Sequence, residues 1–479
     1  MRLRAWAALL LAVAACKGDV DPVDYRNFPL AYGARLDKVT WLQGVERTLH
    51  LGEGQFGSGS RPPPIIAGRE SVLRVHVSAD EEFEGDEVAA VVEYGYPPFR
   101  STLSEMVSLG TEWTQSDLST TAVFHIPAHA VVENMDLTVS LHDPYLGYRE
   151  PIEIDPPLWR SADEPQPLPI AVTDTIHLVI IPVKYFGDGS QRVPDTSPAA
   201  LDLIADAVYG MYPVSSVDLQ VADPLTWTNP ISAFGGWEGL LGAISGMRGS
   251  ADVPENTYYY GLFNPAESFD AFCGGGCILG LSNLAYGATD SWARSSIGLG
   301  YVDVAAETLV HEVGHAHGRL HSPCGGAQGT DPLFPYPNAR LGSWGFDLVH
   351  DAMVDPNGSA DIMSYCTPMW VSDYTFDALL DRVVLLSDHG EIGTLARTEP
   401  RIEWQLASFD ATGIGTVHGI VPARRDPGGE PVEIELVDAA GQVIEIVEGR
   451  FLPFDHLPGG MGLVPYSTRR AAVDRMRLR

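Results

Sequence analysis

The stretch HEVGHAHGRLH runs from His311 to His321 and places His311, Glu312, His315, Gly318 and His321 close together along the chain. Residues four apart on an α-helix lie one above the other on the same face, so His311 and His315 can direct imidazole nitrogens at one tetrahedral metal ion. Glu312 follows His311 by about 100° around the helix, where its carboxylate reaches a metal-bound water without being a ligand. The spacing therefore predicts the ligands and the general base of a hydrolytic zinc site.

Gly318 explains how a third histidine joins this site. Glycine readily adopts the left-handed conformation that ends a helix, so we expect the chain to turn at Gly318 and to bring His321 back to the metal. On a continued helix His321 would lie about one and a half turns further along the axis, too far to complete the site. His317 lies two residues past His315 and projects from the opposite face, so we expect it not to be a ligand.

The helix that carries these residues needs a sheet to pack against, and residues 170 to about 390 alternate strand and helix patterns. The strands expected here are 176–183, 217–221, 257–263, 278–286 and 296–302. The expected helices are 198–211, 237–247, the motif helix from about 304, and 372–386. Strand 278–286 should lie at the sheet edge above the cleft, where an extended substrate can pair with it.

A second informative segment is Asp361-Ile362-Met363-Ser364-Tyr365. Following the histidine motif, it resembles the Met-turn of the metzincin clan of zinc metalloproteases, and the resemblance covers about residues 175–390. It implies that Met363 forms an apolar floor beneath the zinc ligands. Tyr365 matches a tyrosine of astacins and serralysins, which implies a fifth ligand or a donor to the oxyanion.

The chain departs from particular families of this clan. Ser322 follows the third histidine where astacins have glutamate, and glycine-rich calcium repeats of the serralysin kind are not seen. The sequence looks more like bacterial secreted metzincins near the mucin-cleaving glycoprotease or gametolysin groups. Oxygen-bearing side chains alternate at Asp355, Asn357, Ser359 and Asp361. This pattern has two interpretations, a calcium site or an ordinary turn.

The N-terminus reads MRLRAWAALLLAVAAC, with two arginines, a short apolar run and small residues before Cys16. This pattern is typical of a secretory signal over residues 1–15 and is too short for a permanent membrane span. Residues 13–16 resemble a bacterial lipobox, in which Cys16 becomes the lipidated first residue; an ordinary signal peptide with an incidental cysteine is the alternative. We expect an exported protein, held at the cell envelope by this lipid or secreted.

Charge and cysteine content agree with export. The formal net charge of −33 argues against nucleic acid or an anionic membrane surface as a partner. Apart from Cys16, the cysteines are Cys273, Cys277, Cys324 and Cys366, an even number in an oxidising compartment. Three pairings are possible, and a four-cysteine metal site is a further alternative. We favour Cys273 with Cys277 and Cys324 with Cys366, because the second pair would tie the loop after His321 to the loop of Met363.

The whole chain of 479 residues is expected to be a multidomain protein of the α/β and all-β classes. Its centre is a metzincin-type domain with a twisted five-stranded sheet, the active-site helix, the Met-turn and a C-terminal helix, flanked by β-sandwich-like domains. The expected divisions are 1–15 signal peptide, 16–29 lipidated linker, 30–150 β-sandwich, 151–169 proline-rich linker, 170–392 protease domain and 393–479 small accessory β-domain. The basic residues 475–479 are expected to form a solvated tail.

Together these features predict a zinc metalloendopeptidase that hydrolyses protein or glycoprotein substrates outside the cytoplasm. We expect one catalytic zinc ion, a monomer, and membrane attachment through the N-terminal lipid alone. The alternative is a surface-anchored adhesin or glycan-binding lipoprotein whose protease domain is vestigial. The intact Glu312 argues against that alternative, because a degenerate enzyme need not retain its base.

Overall fold

The computed structural model describes residues 23–52, 64–79, 83, 85–109, 112–145, 156–164, 167–285, 287, 291–387, 390, 400–468 and 473–479. The predicted signal segment and Cys16 lie outside these residues. Within them, no helix combines the length and the apolar character that crossing a bilayer requires.

The N-terminal part is a β-sandwich, as its alternating apolar pattern predicts. One sheet contains the order β2-β1-β4-β7 and the other the order β6-β5-β8-β9. Their inner faces enclose a core that includes Trp41, Val75, Val92 and Leu137. The strands are β1 (Ala34–Leu42), β2 (Gly44–Leu51), β3 (Ile65–Ile66), β4 (Ser71–Ala79), β5 (Glu87–Tyr96), β6 (Phe99–Ser108), β7 (Ala122–Ile126), β8 (Asp136–His142), β9 (Leu158–Arg160) and β10 (Ile170–Ala171).

Part of the predicted linker 151–169 belongs to the sandwich instead. Strand β9 pairs antiparallel with β8, and the indole of Trp159 is buried in the sandwich core. The prediction was wrong here because the prolines at 156 and 157 indicated a linker, whereas a short strand begins directly after them. Strand β10 then pairs in parallel with β3, so the chain leaves the sandwich only after Ala171.

The central region holds a mixed sheet with helices packed against it. The sheet order is β12-β11-β14-β16-β15, with the short β13 also paired to β11. Strands β11, β12, β14 and β16 are parallel to their neighbours, and β15 is an antiparallel edge strand. Its elements are β11 (Ile176–Tyr185), α1 (Pro198–Met211), β12 (Val217–Val221), β13 (Leu225–Trp227), α2 (Trp237–Ser250), β14 (Thr257–Phe263), α3 (Phe269–Cys273), β15 (Gly280–Ser282), β16 (Ser295–Leu299), α4 (Val302–Ala316), β17 (Gly345–Asp347), β18 (Ala352–Val354), β19 (Ala360–Asp361), β20 (Met369–Trp370) and α5 (Asp373–Leu386).

Local sequence accounts for most of these elements. The continuous apolar run of β11 suits a strand covered on both faces, and its residues Leu178 and Ile180 are fully buried. Pro198 stands at the first position of α1, where its missing N–H has no helical partner in any case. Helix α5 begins after Ser372, whose hydroxyl accepts from the N–H of Thr375.

Two features of the central region differ from expectation. Among the described residues of the predicted edge strand 278–286, only Gly280–Ser282 forms a strand, because Asn283 next to it makes an isolated bridge with Phe454 of the C-terminal part. Residue 286 lies outside the described residues. The hairpin β17–β18 extends the sandwich sheet through the pairing of β17 with β2. The irregular stretch after His321 therefore serves partly to dock the sandwich.

The C-terminal part is a closed six-stranded barrel and not the sandwich-like domain that was expected. Its order is β21-β22-β26-β23-β24-β25. The predicted solvated tail is wrong, because residues 475–478 form the strand that joins β22 to β23 and so closes the barrel. The strands are β21 (Arg401–Phe409), β22 (Ile414–Arg424), β23 (Glu430–Val437), β24 (Val443–Pro453), β25 (Gly460–Pro465) and β26 (Arg475–Leu478).

The barrel shares a hydrophobic core with the central region. Trp404 and Leu463 of the barrel belong to the same buried cluster as Trp237 and Ile244 of α2. The buried carboxylate of Glu255 also bridges the two parts, through Arg294 at 2.7 Å and Arg401 of the barrel at 3.1 Å. A continuous hydrophobic core of this kind holds the barrel against the central region.

Candidate active site

Helix α4 presents the histidine motif as its spacing predicts. His311, Glu312 and His315 lie in the last turns of the helix, which ends at Ala316. Gly318 then adopts φ +83°, and its N–H donates to the carbonyl of His315 at 2.8 Å. A Cβ at Gly318 would lie 2.7 Å from the carbonyl oxygen of Ala285, so the turn requires glycine for its space as well as its conformation.

The three motif histidines converge through their Nε2 atoms. Nε2 of His315 lies 3.1 Å from Nε2 of His311 and 3.2 Å from Nε2 of His321. Each Nδ1 donates to a backbone carbonyl: that of Ile362 for His311 (2.7 Å), Arg319 for His315 (2.6 Å) and Gln328 for His321 (2.6 Å). Since a carbonyl can only accept, each Nδ1 carries the proton of a neutral imidazole and each Nε2 presents a lone pair.

Three converging lone pairs repel one another unless a cation lies between them. Ligand nitrogens about 2.0–2.1 Å from a tetrahedral ion stand about 3.3 Å apart, which matches the observed separations of 3.1 and 3.2 Å. Burial keeps the pKa of His311 and His315 well below the usual value and lowers that of His321 to about 4, so all three stay neutral. The donor set therefore fits a divalent metal ion.

Glu312 lies against this cluster with its carboxylate almost fully buried. Its Oε1 accepts from Nε2 of His456 at 3.1 Å, whereas its Oε2 is buried and has no hydrogen-bond partner among the described residues. Burial, and then the nearby carboxylate of Asp455, raise the pKa of Glu312. A carboxylate with a raised pKa beside a metal site is suited to accept and return a proton.

The turn of Met363 is held by a buried carboxylate. Asp361 Oδ1 accepts from the hydroxyl of Ser322 and the N–H of Met363, both at 2.9 Å. Its Oδ2 accepts from the N–H of Ser372 at 3.0 Å and from the Ser372 hydroxyl at 2.5 Å. Asp361 thereby joins the loop after His321, the methionine turn and the start of α5. Met363 itself is fully buried beneath the motif helix, where Gly314 leaves room for its sulfur.

Tyr365 lies at the rim of the site. Its hydroxyl is 3.2 Å from Nε2 of His321 and 2.5 Å from Nδ1 of His456. The adjacent disulfide Cys324–Cys366, with 5.7 Å between Cα atoms, ties its loop to the loop after His321. The second disulfide is Cys273–Cys277, so the structure confirms the favoured pairing.

A cavity of 440 Å³ opens beside these groups. Its walls include Glu312, Leu279 directly before edge strand β15, and the segment with Thr367 and Met369 that follows Tyr365. Because the wall is mostly apolar and ends at the base and the histidines, the cavity suits one apolar side chain of an extended chain that passes the site.

His317, which was predicted not to be a ligand, and the optional calcium ligands lie outside the histidine cluster. His317 packs in the core, where it stacks on Tyr258 with 4.4 Å between ring centroids and donates to or accepts from no other motif histidine. The optional calcium ligands are used in turns: Asp355 Oδ1 accepts from the N–H of Asn357 at 2.8 Å, while Asp361 makes the contacts described above. Calcium stays a prediction.

Two residues at the site were missed by the sequence reasoning. Asp455 and His456 lie on the loop between β24 and β25 of the barrel, and the side chain of Asp455 is fully buried. Burial tends to lower the pKa of His456, but the carboxylates of Asp455 and Glu312 raise it to about 9. Asp455 and His456 lie 134 and 135 positions beyond His321 and form no spacing motif with it. The adjacent Asp-His pair itself was the available signal. The barrel is therefore more than the accessory domain that was expected.

Residues 283–368 match the model of a protein family described as Peptidase M66. The matched segment contains the histidine motif and the Met363 turn, and it is less than half of the chain. This match supports a metallopeptidase. No curated protein sequence is significantly similar to the chain.

Among solved structures, the chain is similar to metalloproteinase-II from Bacteroides fragilis. The two are 13% identical, over 69% of this chain and 90% of that one, with a TM-score of 0.26. At so low a TM-score the likeness says nothing about a shared fold.

Proposed function

We propose that the chain is a zinc-dependent endopeptidase of the metzincin type that cleaves protein or glycoprotein substrates outside the cytoplasm. The observation that carries the proposal is the convergence of three unprotonated Nε2 atoms, with that of His315 lying 3.1 and 3.2 Å from the other two. Beside them lies the buried Glu312, whose Oε2 has no hydrogen-bond partner among the described residues. His311, His315 and His321 would hold the ion. The motif match to a peptidase family supports the reaction class.

A bound zinc ion supplies Lewis acidity, which polarises the scissile carbonyl and lowers the pKa of a water beside it. Glu312 Oε2 takes the proton of the attacking water and then delivers it to the leaving amine. The Tyr365 hydroxyl, next to His321, donates to the oxygen on which negative charge develops. The apolar cavity accepts the side chain that follows the scissile bond and so orients the peptide.

Export and anchoring belong to the same proposal and rest on the sequence. The N-terminal signal pattern and Cys16 support a lipoprotein of the cell envelope, and two disulfides suit an oxidising compartment. The adhesin alternative makes a different prediction, since it requires neither a bound metal nor cleavage.

The test uses the full chain purified with its metal. We expect about one equivalent of zinc by elemental analysis and cleavage of casein or a mucin-type glycoprotein that a chelator abolishes. Glu312→Gln should retain the metal and lower kcat/KM by at least about 100-fold, because the general base is lost. Asp303→Asn, an exposed acid in the first turn of the same helix, is the matched control and should retain full activity. Full activity of Glu312→Gln would refute the assignment.

A further inference from the structure

The loop of residues 454–459 carries two side chains from the barrel into the catalytic site. It connects β24 with β25, and the N–H of Phe454 donates to the carbonyl of Gly459 at 3.2 Å, which closes the loop at its base. The side chains of Asp455 and His456 are 0% and 8% exposed. Two ionisable groups are thus buried at the site by a part of the chain that lies outside the matched peptidase segment.

The position of this loop is fixed by the fold. Asp455 Oδ1 accepts from the backbone N–H of Ser282 in edge strand β15 at 3.1 Å. Asn283 bridges to Phe454, and the barrel beneath shares its core with α2. Because backbone pairing and a common core hold the loop, His456 is a built-in member of the site.

His456 spans the two groups that are proposed to act on the substrate. Its Nε2 donates to Glu312 Oε1 at 3.1 Å, and its Nδ1 lies 2.5 Å from the Tyr365 hydroxyl. Both ring nitrogens of His456 are therefore engaged, and Nε2 also lies 3.2 Å from Asp455 Oδ2. A ring nitrogen of His456 lies within 4.8 Å of those of the three motif histidines, so the test must separate a positioning role from a role as ligand. A hydrogen bond to Oε1 restrains rotation of the carboxylate, while Oε2 stays buried without a hydrogen-bond partner among the described residues.

We infer that His456 is a positioning residue of the catalytic centre, supplied by the C-terminal barrel, which holds the Glu312 carboxylate and the Tyr365 hydroxyl in their working orientations. Asp455 anchors its loop to the edge strand. This inference rests on the proposed function and extends it: the working catalytic unit reaches from the sheet to the barrel. Fixing reactive groups in advance removes the cost of ordering them during the reaction.

The kinetic test compares His456→Ala with His456→Gln in the full chain. We expect the alanine variant to lose about 10- to 100-fold in kcat with KM nearly unchanged, as for other outer-shell partners of metal sites. The glutamine variant should recover part of this loss, since its amide can still donate to Glu312. The matched control is His418→Ala, because His418 is a partly buried barrel histidine, packed against Gly242 of α2 and hydrogen-bonded to Ser408 at 2.7 Å. The kcat of this control should stay at the wild-type value.

A second readout does not depend on activity. In the cobalt-substituted protein, His456→Ala should retain one equivalent of cobalt, with a shifted visible absorption band that His456→Gln moves back towards wild type. Loss of the cobalt would show that His456 is a ligand, and an unchanged band would show that it does not act on the site; either result overturns the inference.

Higher activity of His456→Ala than of the wild type would also overturn the inference, because it would show that His456 obstructs the cleft. If the wild-type chain cleaves no substrate, the proposed function fails, while the cobalt comparison still decides the role of His456.

Discussion

Asp361 offers the sharpest test of how the site is held together, through the substitution Asp361→Asn. Each carboxylate oxygen receives one backbone N–H and one hydroxyl: Met363 N and Ser322 Oγ on Oδ1, Ser372 N and Ser372 Oγ on Oδ2. The hydroxyls can rotate to suit an amide, but the two backbone N–H groups cannot. Whichever way the asparagine is oriented, its NH₂ group faces a backbone N–H that has lost its acceptor.

The cost follows from that lost hydrogen bond. A hydrogen bond to a charged group contributes about 1.5–3 kcal/mol, and a buried N–H without an acceptor costs about 1–3 kcal/mol. We expect Asp361→Asn to lower the free energy of local opening of the turn by about 3 kcal/mol. At about 1.4 kcal/mol per tenfold, this corresponds to about 100-fold faster amide exchange. Hydrogen exchange followed by mass spectrometry on peptides that cover residues 361–375 measures this directly.

Asp355→Asn is the matched control, because Asp355 is an exposed turn residue of the same region and accepts from the N–H of Asn357. We expect its exchange rates to stay within about threefold of wild type, in keeping with the small effect of surface substitutions. If Asp361→Asn changes exchange of residues 361–375 by less than tenfold, the assignment of Asp361 as the residue that joins the three segments is wrong.

Two further predictions concern stability with pH and the turn that delivers the third histidine. Burial, and then Arg74, lower the pKa of His76 to about 3. The unfolded chain therefore binds more protons below pH 6.5, and stability is lost as the pH falls from 6.5 towards 3, by about 1.4 kcal/mol per unit for this group. In urea titrations, His76→Leu should reduce the loss of unfolding free energy between pH 6.5 and 5 by about 2 kcal/mol; equal pH slopes would contradict this. Gly318→Ala adds about 1–2 kcal/mol of backbone strain and a contact with Ala285, so chelator competition should show at least about tenfold weaker metal binding as His321 is displaced. Gly326→Ala is the control, because Gly326 has a similar positive φ but open space around the added Cβ. A comparable loss of metal binding in this control would show that backbone strain alone, and not displacement of His321, weakens binding.

The sequence by itself determined the local parts of the site. Helical spacing put His311 and His315 on one face, and Gly318 marked the turn to His321, because backbone geometry over eleven residues depends little on the rest of the chain. Most strands and helices were likewise predictable, since apolar periodicity and capping residues are local signals. The role of Glu312 followed from its position next to His311 on the helix, whereas that of Met363 was implied by the resemblance of its turn to a known methionine turn.

Only the tertiary structure decided which distant segments meet at the site. Asp455 and His456 reach Glu312 and Tyr365 because the barrel packs on α2 through a shared core, and no sequence spacing encodes that contact. The shortened edge strand has the same origin, since Asn283 pairs with Phe454 and Ser282 with Asp455. Closure of the barrel by residues 475–478 depends on strand partners more than 30 positions away, so basic residues that resemble a free tail become a strand. Long-range pairing and shared burial, which local patterns do not specify, completed the catalytic centre.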